Sequence, residues 1–195
     1  MAIQEINQLK DLDSTKQMTF AYLTCERLYP NYVNFSRQYN FGDPEILKDA
    51  LDRIYRYLLY KEIDKEKLIL LIKEVEENTP EPGDFDSILA SSALDACTAI
   101  IESLNSLVND QPPQLDNISV IATDTVSMYI HDRDNLDYNT DTNFHQKINN
   151  DPLMLKEIST QKGIISYLSK IDNIQPSDIV TLINLQENNK GNLGL

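Results

Sequence analysis

A chain of 195 residues, 41% hydrophobic and 25% charged, has the normal size and composition of one domain with its own core. Its formal net charge of −14, from 31 acidic against 17 basic residues, lacks the basic footprint that nucleic acid or an anionic membrane requires. Acidity of this size suits a basic protein partner, or serves solubility alone.

The predicted elements are all helical, read from apolar spacing near 3.6 residues. Ile3, Ile6 and Leu9 mark a short first helix. Ser14 or Thr15 is placed to cap a second, carrying Phe20, Leu23 and Leu28 to about Tyr39 and ended by Gly42. Asp43-Pro44 opens a third, with Ile46, Leu47, Ala50, Leu51, Ile54 and Leu58 as its stripe. Asp64 caps a fourth with Leu68, Leu71, Ile72 and Val75. "NTPEPGDFD" at 78–86 reads as a loop in which Asp84 is placed as the next N-cap and Asp86 in the first turn. The fifth helix runs to about Val108, and its small residues, "ASSALDACTA", predict a central, closely packed position. The sixth starts near Leu115; "ISVIATDTV" is β-branched, but Ile118, Ile121, Ala122 and Thr125 keep the helical period. "HDRDNLDYNTDTN" at 131–143 reads as a long exposed loop, followed by helices from Asp151-Pro152 to Lys170 and from Pro176, and by the tail "ENNKGNLGL". The fold class is therefore all-α: one domain, 1–195, a bundle of about eight helices.

"CERLYPNY" at 25–32 places Pro30 inside the second helix. Proline removes a backbone hydrogen bond and clashes with the carbonyl four residues back, that of Glu26, so a kink or a break is predicted there. Glu26 and Arg27 are neighbours in sequence, do not face each other on a helix, and each needs its own partner. The octapeptide either shapes a helix junction or presents Glu26, Arg27, Tyr29 and Asn31 as a surface.

Together with "FGD" (41–43), "DFD" (84–86), "ALDACTA" (93–99) and the terminal "GNLGL", this octapeptide resembles the YjaG-like family of bacterial proteins, whose function is not known. The resemblance spans most of the chain and is weakest from about 110 to 150. It implies an all-helical fold and brings no catalytic residues. It also implies an association of some members with polymorphic toxins, as immunity proteins.

Candidate chemistry is sparse. Asp132, Asp134, Asp137 and Asp141 crowd one stretch flanked by His131 and His145, but an EF-hand counted from Asp132 meets Leu136 at its fifth position and Asp137 where glycine belongs. Asp95 lies within an apolar helix, and Arg27 is the partner expected of it. Cys25 and Cys97, without CxxC spacing, are expected as buried helix thiols in a reduced, cytoplasmic setting, with neither zinc nor disulfide. No phosphate loop, nucleophile elbow, signal peptide or membrane span is visible, and no cofactor or metal is expected.

Two functions of different class follow. The first is a non-catalytic inhibitor of a basic effector such as a nuclease toxin, presenting Glu74, Glu76, Glu77 and Glu81 with Asp132, Asp134, Asp137 and Asp141 as its binding face. The second is a metal-dependent enzyme using the carboxylates near Asp95 or in the 131–143 stretch. A housekeeping helical module of regulatory role is the remaining alternative.

Overall fold

Short polar side chains set the starts of most long helices. The computed structural model describes residues 6–185 and 191–195. The Asp13 carboxylate accepts from the N–H groups of Thr15 (3.0 Å) and Lys16 (3.1 Å) and opens α2, Ser14–Tyr39. Asp43 does the same for α3, Pro44–Tyr60, and Asp64 for α4, Lys65–Glu77. Ser87 accepts from Leu89 N–H at 3.1 Å and opens α5, Ile88–Val108. Asp151 opens α8, Pro152–Lys170. Two expected caps thus move: Asp13 replaces Ser14 or Thr15, and Ser87 replaces Asp84. Asp84 closes a 3-10 turn, Pro82–Asp84, and Asp86 precedes α5 instead of lying in its first turn.

The remaining helices are α1 (Ile6–Lys10), α6 (Leu115–Arg133), α7 (Phe144–Asn149) and α9 (Pro176–Leu185). Among the described residues there are nine α-helices and no strand, so the all-α reading stands and the count rises by one. The addition is α7, whose single buried anchor, Ile148, sits in a polar stretch. The β-branched segment within α6 is helical, and α6 continues through His131, Asp132 and Arg133, which the sequence placed in a loop. Ile3 lies outside the described residues.

At Pro30 the helix neither ends nor restarts: α2 is one element of 26 residues. It closes at Asn40, whose left-handed φ of 51° supplies the C-cap expected from Gly42. Gly42 has another reason to lack a side chain. Its φ is +64°, and a Cβ there would stand 2.1 Å from the Tyr32 hydroxyl, which donates to the Asn78 carbonyl at 2.8 Å.

The core is organised on α5. Ala90, Ala93, Ala96 and Ala99 keep its surface low, so α2 lies along it, with α4 and α6 as further neighbours. Lys65 of α4 pairs with Asp110 beyond the far end of α5, and Asp95 and Glu102 of α5 meet Thr125 and Asn117 of α6. Both pairings make the neighbours antiparallel to α5. A smaller apolar cluster, with Val126, Ile130, Leu136, Ile148, Met154 and Leu193, joins the end of α6 to α7, α8 and the C-terminal residues.

Candidate functional site

The sequence motifs converge on α2. Pro30 has no N–H to give the Glu26 carbonyl. The C-terminal residues pack beside it. Asn192 N–H donates to the Arg27 carbonyl at 3.0 Å. Its side chain accepts from Asn31 Nδ2 at 2.8 Å and donates to the Ala122 carbonyl of α6 at 3.1 Å. Gly191 rests against the proline with φ +69°. A Cβ there would lie 2.9 Å from the Arg27 carbonyl oxygen, 2.9 Å from Asn31 Oδ1 and 3.1 Å from Pro30 Cβ. "CERLYPNY" and "GNLGL" are thus two halves of one contact, with Pro30 against Gly191.

Beside this seat lies an open groove of about 490 Å³ lined by Glu26, Tyr29, Pro30, Arg37, Lys48 and Leu195, among others. Glu26 accepts from the Tyr22 hydroxyl at 2.8 Å and stands 3.6 Å from Lys48. Burial, then the Glu26 charge, pushes the Tyr22 phenol far above its ordinary range. Tyr29 reaches the Pro44 carbonyl at 3.4 Å. At the far end of α2, Phe41 of "FGD" and Phe85 of "DFD" meet edge to face, ring centres 5.4 Å apart, with Phe35 and Tyr39 alongside.

Arg27 and Glu26 have separate partners, as adjacency on a helix requires. Arg27 turns inward and forms a two-point contact with Glu157 of α8, Nη2–Oε1 2.8 Å and Nε–Oε2 3.3 Å, while Nη1 donates to the Leu23 carbonyl. Gln161 continues the network, donating to Glu157 Oε1 at 2.7 Å and accepting from the Ser119 hydroxyl of α6 at 2.7 Å. The expected Arg27–Asp95 pair is therefore overturned: the guanidinium is committed to α8. The signal for Glu157 and Gln161 was present, because they hold two positions of the buried stripe Met154, Glu157, Gln161, Ile164, Ile165 and Leu168.

Asp95 is half-buried and bonded to the Thr125 hydroxyl at 2.6 Å. Burial raises its pKa to about 6 against the lowering effect of that bond, with Asp124 adding to the rise. When protonated, Asp95 can donate to Thr125 Oγ1 while the threonine proton turns to the Ile121 carbonyl, 2.8 Å away. The sign of the pH dependence follows. The folded pKa lies above the unfolded value, so the folded state holds the extra proton, and this group's contribution to stability, complete below about pH 4, is lost as pH rises through about 6. Asp95→Asn is expected to stabilise the protein on the order of 1–2 kcal/mol at pH 8, because the amide keeps both bonds without a charge, and to be near neutral at pH 4.5. Urea unfolding at the two pH values checks this; a gap that does not widen with pH refutes it.

Cys25 and Cys97 are buried in α2 and α5, and desolvation pushes both thiols up to about 12, far from thiolate chemistry.

The two acidic stretches are exposed but differ in kind. Glu74, Glu76, Glu77 and Glu81 stand in solvent and form no ion pair among the described residues, nor do Asp84 and Asp86. In the second stretch Asp134 is held by Arg133 at 2.8 Å, Asp137 accepts from Asn139 N–H at 2.8 Å, and Asp141 accepts from Asp137 N–H and pairs with Lys147. These bonds hold the three carboxyls below their ordinary range: Arg133 for Asp134, the Asn139 N–H first for Asp137, and Lys147 first for Asp141. Asp132 is exposed at the end of α6. No hydrogen bond or ion pair joins one stretch to the other; α4 packs chiefly on α3 and α5, and α6 on α5, α8 and α2. Among the described residues no group of three or more His, Cys, Asp or Glu is arranged to hold a metal ion, and no helix is long and apolar enough to cross a membrane. His131 and His145 pack against Phe144 instead.

These features define a class: a single-domain, all-α protein whose most distinctive segments lock a proline-containing central helix to the chain's own C-terminal residues. The chain belongs to the family described as "Protein of unknown function (DUF416)", which matches residues 4–195. It is 36% identical over 104 residues to the uncharacterized protein YjaG of Escherichia coli (strain K12), covering 53% of each chain. It is 26% identical over 125 residues to an uncharacterized protein of Haemophilus influenzae, covering 63% of each. The matched segment spans about half the length of the YjaG relatives. The fold is shared with the crystal structure of a DUF416 family protein from Shewanella baltica OS155, at TM-score 0.88 and 27% identity, over 97% of this chain and 96% of that one.

Proposed function

We propose that this is a non-catalytic, cytoplasmic binding protein that recognises a basic protein partner through its exposed carboxylates. The observation that carries the reading is the run Glu74, Glu76, Glu77 and Glu81, exposed and in no ion pair among the described residues, in a chain of net charge −14. Such a surface raises the encounter rate with a cationic protein and repels nucleic acid. The 132–141 stretch adds charge fixed in place by its own hydrogen bonds. Within this reading the partner is an effector such as a nuclease toxin and the protein its immunity protein; the support is the resemblance to YjaG-like proteins associated with polymorphic toxins.

The test is affinity purification of the tagged protein from its own cells after cross-linking, beside a variant with Glu76, Glu77, Asp134 and Asp137 all changed to Lys. A basic protein captured by the parent at low salt, and lost both in the variant and at high salt, is the expected result, since screening shortens the reach of charge to about 10 Å at 0.1 M. A partner retained under both conditions, or one of acidic charge, overturns the acidic-surface reading. The toxin reading makes a further demand: the captured protein must arrest growth when expressed alone and be neutralised by co-expression.

A further inference from the structure

The outward face of α4 combines apolar exposure with a charge order that is complementary to itself. Leu68, Leu71, Ile72 and Val75 point into the core. At 3.6 residues per turn the opposite stripe is Glu66, Ile69, Leu70, Lys73 and Glu77. Ile69 and Leu70 sit at its centre, 44% and 59% exposed. Glu66, Lys73 and Glu74 are exposed and form no ion pair among the described residues. Glu66 stands as far before the midpoint between Ile69 and Leu70 as Lys73 stands after it.

We propose that this face is the contact surface for a second copy of the chain, α4 against α4 in antiparallel order about a two-fold axis between Ile69 and Leu70. A two-fold contact must be self-complementary, and this stripe is. The two apolar pairs meet at the axis. Glu66 of each copy falls opposite Lys73 of its mate. An unrelated partner would need no such symmetry. A single helix-on-helix contact is small, and two chains of −14 repel at long range, so the dimer is weak, with Kd roughly tens to hundreds of micromolar. This inference concerns the chain alone and does not depend on the basic partner proposed above.

Sedimentation equilibrium from about 10 µM to 1 mM in 0.15 M salt, where the Debye length is about 8 Å, reads the association directly. The parent protein is expected to dimerise and Leu70→Glu to remain monomeric with unchanged helical content. Glu66→Lys and Lys73→Glu should each raise Kd about tenfold or more by placing like charges across the axis, and the double exchange should restore the parent value. A protein that stays monomeric at 1 mM, a dimer indifferent to Leu70→Glu, or a double exchange no better than either single change overturns the proposal.

Discussion

Glu157→Ala is expected to destabilise the protein by about 3–5 kcal/mol, because it removes the carboxylate that faces a buried cation. For a chain of this size that is a fall in Tm of roughly 10 °C. Arg27 and Glu157 are only 5% and 3% exposed, so water cannot replace the lost carboxylate. The contact to the Leu23 carbonyl offers a neutral acceptor in place of a charged one. Gln161 also loses the acceptor for its amide at 2.7 Å, keeping only the Ser119 contacts. Replacing both partners by apolar residues of similar size, Arg27→Met with Glu157→Leu, should cost much less than Glu157→Ala alone, since no charge is then left in the core. The pair therefore specifies how α8 registers on α2 more than it adds net stability. Thermal unfolding of the three proteins decides the matter. If the single change costs under about 1 kcal/mol, or the double change costs as much as the single, the ion pair is not the anchor described.

This network shows where legibility in the sequence ends. Periodicity is local, so α3, α4 and α5 were readable from their own residues, and Asp43 and Asp64 announced two helix starts. The inference that Glu26 and Arg27 need separate partners also required only helix geometry, and the structure supplies Tyr22 with Lys48 for one and Glu157 for the other. Choosing Asp95 for Arg27 failed because partner choice across helices depends on bundle topology. Asp95 lies on the α6 side of α5, where a threonine hydroxyl meets it. The buried pair was still detectable from α8 itself, where Glu157 and Gln161 interrupt an otherwise apolar stripe and polar residues there imply a buried partner. The cap assignments erred by one or two residues and by three because Ser, Thr and Asp compete for the same role and the chosen one depends on the backbone before the helix. The short α7 escaped notice because six residues hold too little of the helical period to stand out.

The contact between "GNLGL" and "CERLYPNY" was legible only as two motifs, since some 160 residues separate them, and it yields the second large expected effect. Gly191→Ala should destabilise the protein by about 2–3 kcal/mol, and deletion of residues 191–195 should cost nearly the same. The argument starts from space: a methyl at Gly191 meets the Arg27 carbonyl and Asn31 Oδ1, both at 2.9 Å, and the backbone at φ +69° already disfavours an L side chain. Neither neighbour can retreat, because Arg27 is held by Glu157 and Asn31 is fully buried. The tail must therefore leave its seat, which loses whatever the tail contributes and no more. That contribution is the burial of Leu193, about 1.5–3 kcal/mol, and the three bonds of Asn192, about 1 kcal/mol each. It is reduced by the entropy of ordering the segment and raised by leaving the buried Asn31 amide without its acceptor. Gly194 provides the control: its φ is +73°, but no atom lies within 4 Å of where a methyl would stand, so Gly194→Ala should cost only about 1 kcal/mol of backbone preference. Urea unfolding of the four proteins measures these differences. A Gly191→Ala protein as stable as the parent would mean that Pro30 does not form a glycine-specific seat. A Gly191→Ala protein much less stable than the deletion would mean that the methyl distorts α2 itself and that the tail does not simply detach.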